Sequence, residues 1–144
     1  MSYIPTAPDL KDELRDTIRA HRKYLATGSK YATHSGSNKE EAGRFTAVGG
    51  ALVTVQAVLT YISKAVWGSA DPGDGYERRI EVSAVANCHG HGCIDPEFRA
   101  EDDGFFLLAA DADVTAEAAL PYVQKAREWA QKHAETCRAQ AYKG

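Results

Sequence analysis

Cysteine is scarce in this chain and odd in number, three among 144 residues. An odd set cannot close a complete disulfide framework. Basic residues are not in excess either. The net charge is −3 and the pI about 5.9, so no global positive field draws the chain to nucleic acid or to an acidic membrane. The opening MSYIPTAPDLKDELRDTIRAHRK has no apolar signal core, which makes a cytoplasmic location the expectation. In that compartment clustered cysteines serve more often as metal ligands or redox groups than as structural disulfides. A long uninterrupted apolar run is missing as well. Residues 47–67 are the most apolar stretch, but Gln56, Ser63 and Lys64 break it. A spanning helix needs about 20 largely apolar residues, so the expectation is a buried helix and no membrane contact. There is no internal repeat and no low-complexity tail.

What is present reads as one domain, 1–144, with a helical part (1–70) and a zinc-binding ββα-like part (76–144). Thr6 and Asp9 have capping-box spacing and Pro8 suits a first turn. Leu10, Leu14, Ile18, His21 and Leu25 then recur at helical spacing, which predicts a first helix over 7–27 with Gly28 as its C-cap. Its other face carries Lys11, Arg15, Arg19, Arg22 and Lys23, interleaved with acids. His34 lies in a polar loop and reads as solvated. Asn38 and Glu41 repeat the capping signature. Phe45, Val48, Leu52, Val55, Leu59, Ile62 and Val66 follow at intervals of three or four, predicting a long second helix from Asn38 to Trp67. Gly43, Gly49 and Gly50 would kink it or admit a neighbouring backbone. Gly68 would end it before a turn at 69–75. Ile80, Val82, Ala84 and Ala86 alternate with polar residues, as in a half-buried strand. A second short strand is expected at 105–109, making a small antiparallel hairpin or sheet. Thr115 or Asp113 would cap a last helix running to about Gln140, with Pro121 in its first turns. The fold expected is thus α+β: two N-terminal helices, a small antiparallel sheet with a Cys-Gly knuckle, and a C-terminal helix, tied together by one zinc.

The knuckle, NCHGHGC, holds Cys88 and Cys93 around Gly90 and Gly92, which permit a tight turn. His133 and Cys137 stand four apart on the last helix, on one face and one turn apart. Together they form a soft Cys3His set suited to tetrahedral Zn²⁺. Trp129, one turn before His133, would shield the metal. Arg138 would offset the formal −1 charge of a zinc bound by three thiolates. An unligated trio, or a strained Cys88–Cys93 disulfide, is the bland alternative.

ANCHGHGC followed at a distance by AREWAQKHAETCRA resembles a pattern in small, mostly uncharacterised actinobacterial and actinophage proteins described as zinc-finger-like. They carry a cysteine pair followed by WAxxHAxxCR. The matching residues are Cys88, Cys93, Trp129, Ala130, His133, Ala134, Cys137 and Arg138, so the resemblance covers only the C-terminal part. The chain departs from the pattern by having Cys-x4-Cys where Cys-x2-Cys is commoner, and by lacking a Leu-Pro continuation. The first departure leaves His91 or His89 open as a replacement ligand. The resemblance supplies no activity.

Four protein ligands leave a zinc no open position, so they point to a structural ion. The deaminase, His-Glu-x-x-His, haem-attachment and P-loop patterns are all absent. The reading therefore leans against an enzyme, with Glu97 and Asp95 as the acid or base should a ligand be displaced. A zinc-dependent nucleic-acid reader is the alternative, through Arg78, Arg79, Arg99 and the basic face of the first helix, although acids crowd the knuckle. The favoured expectation is a small zinc-stabilised protein-interaction module or regulator of phage or mobile-element origin. Its partner would be another protein, or a second copy meeting it along the Asn38–Trp67 helix.

Overall fold

Thr6 caps the first helix as its spacing suggests. Its side chain accepts from the Asp9 N–H at 3.2 Å, and α1 runs Ala7–Ala26. The computed structural model describes residues 3–27, 33–65 and 76–141. Gly28, Gly68 and the turn at 69–75 lie outside those residues. Leu10, Leu14 and Ile18 are fully buried on one face of α1.

The second helix does not exist. The segment from Asn38 instead supplies two long antiparallel strands, β1 (Gly36–Thr46) and β2 (Leu52–Ala65), joined by a turn. In that turn Ala47 N–H donates to the Ala51 carbonyl at 2.8 Å and Gly50 takes φ +96°. Along β2 the odd positions Val53, Val55, Ala57, Leu59 and Tyr61 are buried. The even positions Leu52, Val58 and Ile62 are apolar too, and the two faces overlaid imitate a three-to-four repeat. Period two governs, because each odd residue stands opposite an even residue of β3 (Tyr76–Cys88): Val53 with Cys88, Val55 with Ala86, Ala57 with Ala84, Leu59 with Val82 and Tyr61 with Ile80.

β3 is the strand expected from its alternation, but its sheet is larger than a hairpin. The antiparallel sheet has five strands in the order β1-β2-β3-β5 (Glu97–Ala100), and β6 (Phe106–Leu107) also pairs with β3. β5 was not foreseen, and the strand expected at 105–109 shrinks to the two residues of β6. The last helix is also not continuous. Asp111 caps α2 (Ala112–Ala118), and α3 follows at Leu120–Thr136 with Pro121 in its first turn.

The core lies between one face of the sheet and the helices. α3 offers Val123, Ala126, Ala130 and Ala134, all buried, to a sheet face whose centre is Ala57, Ala84 and Ala86. Small residues on both sides let helix and sheet approach closely, which brings the end of α3 to the end of β3. No helix among the described residues is long and apolar enough to cross a membrane.

Candidate metal centre

Cys88 is the last residue of β3 and points inward, in register with Val53. Just beyond it the chain makes β4 (Gly90–His91), turns at Gly92 with φ +83°, and presents Cys93. α3 brings His133, and Cys137 caps its end, donating its N–H to the His133 carbonyl at 2.7 Å. The last described residues, β7 (Gln140–Ala141), return to pair with β4. The knuckle and the helix end therefore meet twice, through side chains and through backbone.

One ligand atom from each of Cys88, Cys93, His133 and Cys137 lies within 4.8 Å of all the others, a group that could hold a metal ion. Zn–S bonds of about 2.3 Å and Zn–N bonds of about 2.0–2.1 Å in a tetrahedron place two sulfurs about 3.8 Å apart, and a sulfur and a nitrogen about 3.6 Å apart. Here Cys88 Sγ and Cys137 Sγ are 3.8 Å apart, Cys93 Sγ and Cys137 Sγ 3.9 Å, and Cys93 Sγ and His133 Nε2 3.4 Å. The S···S spacings are far beyond the roughly 2.05 Å of a disulfide, and all three cysteines are free.

Burial pushes the Cys88 thiol up to about 11, helped by the neighbouring Cys137 and Cys93 and opposed by the Gly90 N–H. A bound cation would reverse that balance at Cys88. Trp129 stacks on His133 at 4.5 Å and 14°, and Phe98 of β5 stacks on Trp129 at 5.8 Å and 12°. Trp129 thus covers one face of the His133 ring. Arg138 is exposed beyond the helix end.

His89 and His91 are not part of the group. His89 is exposed and its Nε2 lies 2.9 Å from Thr54 Oγ1, on the opposite sheet face, and His91 is exposed in β4. Glu97 stands in register with Asn87, on the face away from Cys88, and pairs with Arg99 at 3.6 Å; Asp95 is exposed in the turn. Neither acid is aimed at the sulfurs.

For Gly49 the structure takes the second of the two roles read from the sequence, admitting a neighbouring backbone, while the same role at Gly90, read only as a turn glycine, was missed. Gly49 and Gly90 act by close approach. A Cβ on Gly49 would stand 2.4 Å from the Arg138 backbone, and one on Gly90 would stand 2.6 Å from the Ala139 Cβ and 2.9 Å from the Ala51 Cβ. They let residues 138–139 run between the β1–β2 turn and the knuckle. The Gly-Gly pair at 49–50 was the available signal. Away from the metal group, His34 was also misread: expected in solvent, it is only 5% exposed and bonded to His21.

No family model, curated protein or solved structure matches the chain.

The basic face of α1 is largely engaged. Lys11 pairs with Glu117 at 3.9 Å, Arg15 with Asp12 at 3.2 Å and Asp113 at 3.4 Å, and Arg19 with Asp113 at 3.9 Å. Arg22 donates to the carbonyls of Leu108 and Ala110. Arg79 pairs with Glu77 and lies over the Phe105 ring, while Arg99 sits between Glu97 and Glu101.

Proposed function

We propose that the Cys3His group binds one structural Zn²⁺ and that the chain is a small zinc-stabilised protein-interaction module or regulator. The observation that carries the metal reading is the convergence of four donor atoms within 4.8 Å of one another, with the Cys88–Cys137, Cys93–Cys137 and Cys93–His133 spacings close to tetrahedral ones. Zinc accepts sulfur and imidazole in this ratio and prefers this geometry. With four protein ligands no coordination site remains for water or substrate, which favours folding over catalysis. The likeness of the knuckle and the WAxxHAxxCR segment to actinobacterial and actinophage zinc-finger-like proteins supports the same reading, including a phage or mobile-element origin.

The interaction role draws its support from the surface beside the metal group. Ile4, Phe45, Val48 and Ala134 line a groove of about 480 Å³ edged by Gln131 and Glu135. Ile4 and Val48 are 49% and 60% exposed, unusual for aliphatic side chains that sit together. Val48 N–H donates to the Ala134 carbonyl and Gly49 N–H to the Cys137 carbonyl, so an ion on Cys137 also fixes one wall of this groove. A nucleic-acid role has less behind it, since most of the basic residues it would use face acids or carbonyls.

Hydrogen exchange with and without a strong chelator tests the structural role. Removal of zinc is expected to raise exchange in 88–93, 133–141 and the 47–51 turn, and to leave α1 protected. Complete metal removal with no change in exchange would defeat the proposal.

A further inference from the structure

Far from the sulfurs, one part of the helix–sheet seam is polar where such seams are ordinarily apolar. One stripe round from Leu10, Leu14 and Ile18, Thr17, His21 and Tyr24 face Asn38, Glu40 and Tyr61 across a cleft of about 550 Å³. Polar groups taken partly out of water need partners, and Thr17, Glu40, Asn38 and Tyr61 find them in one another. Thr17 Oγ1 donates to Glu40 Oε1 at 2.8 Å, and Asn38 Nδ2 donates to the Tyr61 hydroxyl at 2.8 Å. The Tyr61 and His21 rings stack with centroids 3.9 Å apart and planes at 8°.

The tautomers follow from the acceptors. His34 Nε2 lies 2.8 Å from the Arg79 carbonyl oxygen. A carbonyl only accepts, so this nitrogen carries the proton. His34 Nδ1 then accepts from His21 Nε2 at 2.8 Å. The remaining nitrogen of His21, Nδ1, keeps its lone pair. A buried imidazole anchored on the backbone thus orients a second one at the cleft. With those bonds made, His21 Nδ1, Glu40 Oε2 and the Asn38 side-chain carbonyl are left as acceptors. The Tyr61 hydroxyl, already accepting from Asn38, keeps its own proton to donate.

We infer that this cleft binds a small neutral ligand rich in hydroxyl groups, a monosaccharide in chemical class. A hydroxyl donates and accepts at once, so neighbouring hydroxyls on one ring suit these acceptors together with the donors beside them, the Tyr61 hydroxyl and the Ser37 and Lys39 side chains that also line the cleft. Tyr24, 48% exposed, offers a ring face to the C–H side of such a molecule. Glu40 and Lys39 both line the cleft and offset one another. Arg78, whose charge acts on both His21 and His34, opposes a cation. The inference makes no use of the metal group.

Amide chemical-shift mapping of the full chain, titrated with methyl α-D-glucopyranoside, methyl β-D-galactopyranoside and inorganic phosphate, tests it. The expected result is saturable shifts at residues 17–24, 38–40 and 61 with at least one glycoside. His21→Phe keeps a ring on Tyr61 but removes the acceptor, and should weaken binding about tenfold, the loss of roughly one hydrogen bond. Glu40→Gln, nearly isosteric, should weaken it several-fold and guards against a His21 variant that does not fold. The inference is overturned by no shift with either glycoside, by binding that both variants leave unchanged, or by saturation with phosphate alone.

Discussion

Gly90 has no room for a side chain. Alanine there would press on Ala139, Ala51 and the Cys88 sulfur, and overpacking of this kind costs about 1–3 kcal/mol. Gly90→Ala should lower the urea midpoint and weaken metal retention together, measured by denaturation and by competition with a chromogenic chelator. A drop in stability with metal affinity unchanged would separate the knuckle from the site. His21 and His34 give a second residue-scale test. Burial lowers the pKa of both below the ordinary 6.5; Arg78 adds to this for each, and the bond to the Arg79 carbonyl works the other way for His34. Lys39, Glu40, Tyr24 and Tyr61 are the other ionisable groups at the cleft. The unfolded chain therefore takes up protons first as the pH falls. The contribution of the pair is complete above about pH 6.5 and is lost below it, toward the lowered folded values. Loss of a bound metal in acid would add to this, so the informative quantity is the difference between wild type and a His21→Phe, His34→Phe double variant. Wild type should lose more stability between about pH 7 and about pH 5, and equal losses would contradict the argument.

At the scale of elements, α1 was legible because three signals agreed: the Thr6 cap, Pro8 in the first turn, and the Leu10, Leu14, Ile18 stripe. Leu14→Ala should cost about 2–5 kcal/mol, as for other fully buried leucines, and a loss well below 1 kcal/mol in urea denaturation would mean α1 is not docked. β3 was legible because only one of its faces is apolar in the stretch from Ile80 to Ala84. The segment from Asn38 was not, because β2 is apolar on both faces and spacing alone does not separate a two-sided strand from a helix. The deciding signal was composition. Val53, Thr54, Val55, Val58, Thr60 and Ile62 are β-branched, which favours strands, and Gly49-Gly50 marks a hairpin turn rather than a helix kink. β5 is four residues long and β6 two, held by pairing to β3 rather than by any pattern of their own. The four sulfur and imidazole groups were legible because the i, i+4 pair and the Gly-flanked pair are local features. Their convergence was not, since it depends on α3 crossing an alanine-lined sheet.

The whole molecule is a sheet covered on one face by helices, with four side chains that could hold a metal ion gathered at one corner. Oxidation probes that corner. Cys137 lies within 3.9 Å of both Cys88 and Cys93, so peroxide should join it to one of them, two thiols giving a disulfide and water. Bound zinc should slow this reaction by holding the thiolates, with peptide mapping as the readout; equal rates with and without zinc would place the ion elsewhere. The most direct measurement is metal content after gel filtration of protein purified without chelator. The account predicts one zinc per chain in the wild type and loss of it in Cys137→Ala and His133→Ala, while His89→Ala and His91→Ala keep it. Well under one equivalent in the wild type, or full retention in the Cys137 and His133 variants, would contradict it.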